Sequence, residues 1–119
     1  MKILAIETSC DETAIALVEA SGGLRSPRFR ILKDVVSSQV KIHQPFGGVV
    51  PSLAKREHLK NLPIVLKKIL DTRYSIHDTD LIAVTVGPGL EPALWTGINF
   101  AKELAKQCRK PLLGVNHLE

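Results

Sequence analysis

The chain opens on a short apolar run, Ile3–Glu7, of the length and continuity that mark a buried strand. Thr8–Glu12 is polar and small, and reads as a turn. Apolar positions return over Thr13–Glu19, rich in Ala, Ile, Leu and Val, so the two runs are expected to pair as a hairpin. Ser21-Gly22-Gly23 is turn chemistry. Phe29–Val40, with Ile31, Val35 and Val36 as its apolar content, predicts a third strand. Pro45-Phe46-Gly47-Gly48 then breaks regular structure, and the period changes. Leu59, Leu62, Leu66 and Ile69 recur at spacings of three and four, with Lys55, Arg56, Lys60, Lys67 and Lys68 at polar positions. That pattern predicts an amphipathic helix with Ser52 as its cap. Pro63, inside the pattern, predicts a kink or a restart.

Asp80–Val86 predicts the next strand, and Gly87-Pro88-Gly89 ends it sharply. Leu94, Ile98, Ala101, Leu104, Ala105 and Cys108 then form one face of a second helix. Pro111 stops it, and Leu112–Val115 begins another strand. The order is a three-strand meander followed by alternating helices and strands. This is an α/β arrangement, the layout of the ribonuclease-H-like lobe of an actin-like fold. No internal repeat or linker divides residues 1–119, which are expected to form a single lobe.

Composition narrows the picture without changing it. The net charge of +4 is modest and spread along the chain, so nothing resembles the concentrated basic patch of a dedicated nucleic-acid binder. Cys10 and Cys108 match no zinc or redox spacing and read as reduced thiols. No stretch approaches the ~20 apolar residues of a membrane span. Glu7, Asp11 and Glu12 interrupt any signal-peptide core. A cytoplasmic protein with no membrane partner is expected.

Several segments carry candidate chemistry. The turn Glu7-Thr8-Ser9-Cys10-Asp11-Glu12-Thr13 combines hydroxyls with free backbone N–H groups, a combination that cradles phosphate oxygens. Asp11 and Glu12 would repel phosphate and so would hold a metal, a water or a polar substrate group. Taken alone, two adjacent carboxylates are also the make-up of an ordinary acidic hairpin turn. Gly87-Pro88-Gly89 lies between a strand and a helix, where backbone can approach a ligand and a helix N-terminus favours an anion. A plain strand-to-helix turn needs glycine just as much. His43 and His77 fall in polar loops and read as surface residues, and His58 reads as structural or surface. His117 stands apart, because it follows Leu112–Val115 at a strand end, where α/β sheets bind ligands.

Together these segments resemble the bacterial tRNA N6-adenosine threonylcarbamoyltransferases. Ile6–Thr13 looks like the family's first phosphate-side loop. Ser38-Gln39-Val40, then Gly47-Gly48-Val49-Val50-Pro51-Ser52-Leu53-Ala54 and His58, resemble its second block. Gly87-Pro88-Gly89-Leu90 with Leu94 and Gly97 resembles the third, and Asn116-His117-Leu118-Glu119 the start of its metal motif, His-x-x-x-His. The resemblance implies an actin-like fold of two lobes, of which this chain is the N-terminal one, ending within that motif. It implies transfer of threonylcarbamoyl from threonylcarbamoyl-adenylate to the N6 amine of the adenosine beside the tRNA anticodon. It implies one divalent metal ion (iron or zinc) in the full-length enzyme, with His117 as a ligand and the remaining ligands beyond Glu119. Asp11 and Glu12 are the expected catalytic residues, and Ser9, Cys10, Thr13, Gly87, Pro88 and Gly89 the expected substrate-binding ones. The isolated lobe is expected to be inactive and to bind no metal stably. Expected partners are tRNA, a paralogous actin-like subunit docking on Leu53–Leu70 or Leu94–Cys108, and other proteins of the modification pathway.

Two other readings compete. A noncatalytic paralogue lacks the histidine motif and usually departs from the Cys-Asp-Glu-Thr loop, whereas this sequence has that loop and His117, which favours the catalytic member. An interaction module that only docks a partner would need neither. Peptide hydrolysis has no support, because no His-Glu-x-x-His segment exists.

Overall fold

A computed structural model describes residues 1–117; Leu118 and Glu119, the last two positions of the fourth block, lie outside the described residues. The elements are β1 (Lys2–Glu7), β2 (Glu12–Ser21), β3 (Arg28–Ser38), α1 (Val40–His43), α2 (Pro51–Ile69), β4 (Leu81–Gly87), α3 (Glu91–Cys108) and β5 (Leu112–Asn116). Short 3-10 turns lie at Gln44–Phe46 and Ile76–Asp78. The strands form one sheet in the order β3-β2-β1-β4-β5. β1 pairs antiparallel with β2, and β2 with β3, while β1–β4 and β4–β5 are parallel. The predicted meander and the two crossovers are both present.

Side-chain alternation decides which sheet face is covered. Leu4 and Ile6 of β1 lie level with Leu17 and Ile15 of β2 and with Ile82 and Val84 of β4. All six are buried and cluster with Leu62, Val65 and Ile69 of α2 and with Ala101 and Ala105 of α3. Each large aliphatic side chain taken from water there stabilises the fold by about 1.5–3 kcal/mol. The opposite face is paved with small residues. Ala5, Ala14, Ala16 and Ala83, with Val36 and Val115, line an open trough of about 290 Å³.

Three local expectations are corrected. β3 stops at Ser38, and Gln39 turns the chain into α1 instead of extending the strand to Val40. α2 begins at Pro51 with Val50 as its cap residue and no side-chain cap, so Ser52 lies inside the first turn. Proline at the first helical position gives up an N–H that would have no intrahelical partner anyway. The helix is also continuous through Pro63, so the chain does not restart there. Pro63 and Leu59 both lie on the exposed side, so water can serve the carbonyl that proline leaves unbonded. The buried stripe of α2 is Ala54, His58, Leu62, Val65 and Ile69, whereas Leu59 is 56% exposed. A histidine thus occupies a core position.

Candidate active site

β1 and β4 lie side by side at the centre of the sheet and run the same way, so their C-terminal ends open on one edge. The turn that leaves β1 is fixed by three different elements. The carbonyl of Ser9 accepts from Leu90 N–H at 2.8 Å, that of Cys10 from His58 Nε2–H at 2.8 Å, and that of Asp11 from Gln39 N–H at 2.8 Å. In a trans peptide the N–H points opposite to its carbonyl. The N–H groups of Cys10, Asp11 and Glu12 are therefore turned away from the elements that hold the turn.

Close backbone approach is what the glycines beside this turn provide. A Cβ on Gly89 would lie 2.6 Å from the Ser9 carbonyl oxygen, and one on Gly97 would overlap Thr8 Oγ1. Thr8, fully buried, donates from that hydroxyl to the Ala93 carbonyl at 2.8 Å, pinning α3 to the end of β1.

On the open side lies a cleft of about 300 Å³ lined by Glu7, Ser9, Cys10, Asp11, Glu12 and His117. Glu7 is its organising group. One carboxylate oxygen accepts from Ser9 N–H, and the other from Thr85 Oγ1–H and from His117 Nδ1 at 3.0 Å. Partial burial by itself would raise the pKa of Glu7, but the hydrogen bonds from Ser9, Thr85 and His117 outweigh it and hold the carboxyl below its ordinary value of 4.5. An ionised Glu7 accepts only, so His117 carries its proton on Nδ1. Nε2 is then the nitrogen with a lone pair to give. Carboxylate, histidine and metal are commonly arranged in this order. His117 N–H also donates to the Gly87 carbonyl, at 2.6 Å, tying the end of β5 to β4. The Cys10 thiol, exposed at the rim, is pushed up by local desolvation and by the neighbouring Asp11 charge.

Asp11, Glu12, Ser9, Cys10 and His117 thus come together around one opening, as five of the residues singled out in the sequence. Thr13 does not. It is fully buried, its hydroxyl lies 2.8 Å from His58 Nδ1, and its place in β2 turns it inward, away from the cleft. Gly87, Pro88 and Gly89 flank the turn and do not line the cleft. His43 is buried, against the surface expectation. Sequence reasoning missed Glu7 and Thr85 as site residues. The signal available for Glu7 was a lone carboxylate closing an apolar strand run.

Among the described residues no group of three or more His, Cys, Asp or Glu is placed to hold a metal ion. His117, with Nδ1 bonded to Glu7, offers one nitrogen donor to the cleft, fewer than a metal site usually needs.

Solved structures of the same architecture place the lobe in the actin-like, ribonuclease-H-like class. An uncharacterized Pseudomonas aeruginosa protein with similarity to peptidase YEAZ superposes with a TM-score of 0.66 at 23% identity, over 97% of this chain and 43% of that one. Thermus thermophilus RuvC superposes with a TM-score of 0.61 at 13% identity, over 98% of this chain and 62% of that one. Both show the fold alone. The family is given by sequence: the family model TsaD, tRNA N6-adenosine threonylcarbamoyltransferase, matches residues 30–119, and the chain belongs to that family. Proteins named tRNA N6-adenosine threonylcarbamoyltransferase from Thermosipho melanesiensis and Clostridium novyi are 52% and 48% identical to it, over 99% and 100% of this chain. The chain spans about a third of their length, 34% and 33%.

Proposed function

We propose that this lobe forms one wall of the active site of a threonylcarbamoyltransferase acting on the adenosine beside the tRNA anticodon. The observation that carries the reading is the Glu7–His117 pair facing Asp11 across one cleft, in a chain of this family. In the reaction, the adenosine N6 amine attacks the carbamoyl carbon of threonylcarbamoyl-adenylate. A C–N bond forms, the bond from that carbon to the phosphate oxygen breaks, AMP leaves with the electron pair, and the amine sheds a proton. Asp11, partly exposed on the turn, takes the proton or orients the amine that loses it. Glu12, exposed at the rim, assists in holding the incoming nucleoside. The outward N–H groups of the turn and Ser9 steady the phosphate side.

His117 supplies one ligand, through Nε2, to a divalent iron or zinc ion completed by residues outside this lobe; bound there, the ion would act as a Lewis acid on the carbamoyl oxygen. In the neutral ring the bond to Glu7 holds the proton on Nδ1, which leaves Nε2 as the ligating nitrogen. A partner of the same fold docks on the outer surface of α2 and α3, where Leu59 and Trp95 are 56% and 50% exposed. Leu62 and Ile69, buried in the core, are unavailable for that contact. No helix among the described residues is long and apolar enough to cross a membrane, and a cytoplasmic setting among tRNAs suits the proposed substrate.

Metal analysis and transfer assays on the whole protein with His117→Ala test this reading. Loss of bound metal together with at least ~100-fold slower transfer is expected, since ligand geometry is held by few groups. Full metal content and an unchanged rate would overturn it.

A further inference from the structure

His43, Gln39 and His58 form a buried chain of polar groups behind the turn, with exposures of 3%, 0% and 0%. Its polarity is set at both ends by backbone. Val50 N–H can only donate, and it does so to His43 Nδ1 at 3.0 Å, so His43 carries its proton on Nε2. That Nε2–H donates to Gln39 Oε1 at 2.7 Å, which fixes the amide orientation, and Gln39 Nε2–H lies 3.4 Å from His58 Nδ1. At the far end the Cys10 carbonyl can only accept, so His58 carries its proton on Nε2, and its Nδ1 accepts from Gln39 and Thr13. Every donor meets an acceptor in one direction only. A reversed amide or a protonated His58 would set donor against donor and break the chain.

We propose that His58 is a positioning residue for Asp11. It clamps the Cys10 carbonyl, and the chain through Gln39 and His43 ties that clamp to the Gly47–Val50 loop, so that turn and loop hold their places as one unit. The geometry suits no simpler role. A residue that only filled the α2 stripe would be aliphatic, as Leu62, Val65 and Ile69 are, and would leave the Cys10 carbonyl without its side-chain donor. The same peptide sets the direction of Asp11, because Cys10 C=O and Asp11 N–H share one plane. The consequence for transfer rests on Asp11 acting in the cleft as proposed above; the clamp itself does not.

Two substitutions of His58 separate the parts. His58→Gln keeps an N–H donor at the reach of Nε2, whereas His58→Asn keeps only the acceptor near Nδ1. Both are made in the whole protein, with the unfolding midpoint, amide exchange at Gln39 and steady-state transfer measured for each. Gln39 N–H bonds the Asp11 carbonyl and so reports on the turn. In His58→Asn its exchange should rise about tenfold, and kcat should fall about tenfold with the KM for tRNA unchanged. In His58→Gln both should stay within about threefold of wild type. Exchange that rises equally in the two variants, or in neither, would overturn the inference. Exchange that separates them while kcat does not would uphold the clamp and tell against Asp11 as the reacting group.

Discussion

Two polar clusters built on histidine sit on opposite sides of one turn, and they differ in burial and in bonding. Behind the turn, His58 and His43 are buried, neutral and fully bonded. In front of it, the His117 side chain is 45% exposed and pairs with Glu7 on one nitrogen only. The buried pair has no valence left for a ligand, and the exposed one has. A polar network in the interior is costly unless complete, so completeness there marks a structural task. A histidine at a strand end with one nitrogen uncommitted marks a chemical one. The turn between them is held from one side, and under the proposed function it reacts on the other.

The comparison breaks most visibly at His43. His43→Ala should lower unfolding stability by about 3 kcal/mol, because it leaves Val50 N–H and Gln39 Oε1 buried without partners. Denaturant titration checks this, and a loss below about 1 kcal/mol would mean that water replaces the ring. On the exposed side, Glu7→Gln should weaken metal binding by the whole protein about 10–100-fold with little change in stability. Calorimetric titration with the metal reads that loss directly, and unchanged affinity would show that Glu7 does not orient His117.

The smallest effect is a pH dependence. Burial pushes the His58 pKa below its ordinary 6.5, and the Cys10 carbonyl and the Glu7 and Asp11 charges only partly oppose it. Above pH 6.5 folded and unfolded chains are both neutral at this ring, and its contribution is fully present. As pH falls below that value the unfolded chain takes up a proton that the folded one refuses, so stability is lost until the folded pKa is passed. His58→Gln, which cannot titrate, should flatten the fall in unfolding midpoint between pH 7 and 5.5. An unaltered slope would place the titration elsewhere.

Much of the fold was legible because its elements bury one face each. The apolar run of β2 and the period of α3 are signals that packing enforces, and both elements are present in the structure. The cleft was half legible. Asp11, Glu12 and His117 announced themselves by type and by position at strand ends. Glu7 did not, because its role depends on β1 and β5 ending at one level two strands apart, which no local pattern records. His58 read as structural or surface, and it is structural, but its partners were hidden for the same kind of reason. Its neighbours Lys55 and Arg56 suggested surface, while the spacing Ala54, His58, Leu62 placed it on the core stripe. A histidine at a core position asks which buried groups it must satisfy, and those groups, Cys10 and Gln39, lie far away in sequence.

The most direct test of the cleft is the rate of threonylcarbamoyl transfer by the whole protein carrying Asp11→Ala. The account predicts a fall of at least ~100-fold, the contribution expected of a positioned proton acceptor, with the unfolding midpoint unchanged because Asp11 lies in a turn outside the core. An unchanged rate in a folded protein would contradict it and leave the turn an acidic connection between two strands.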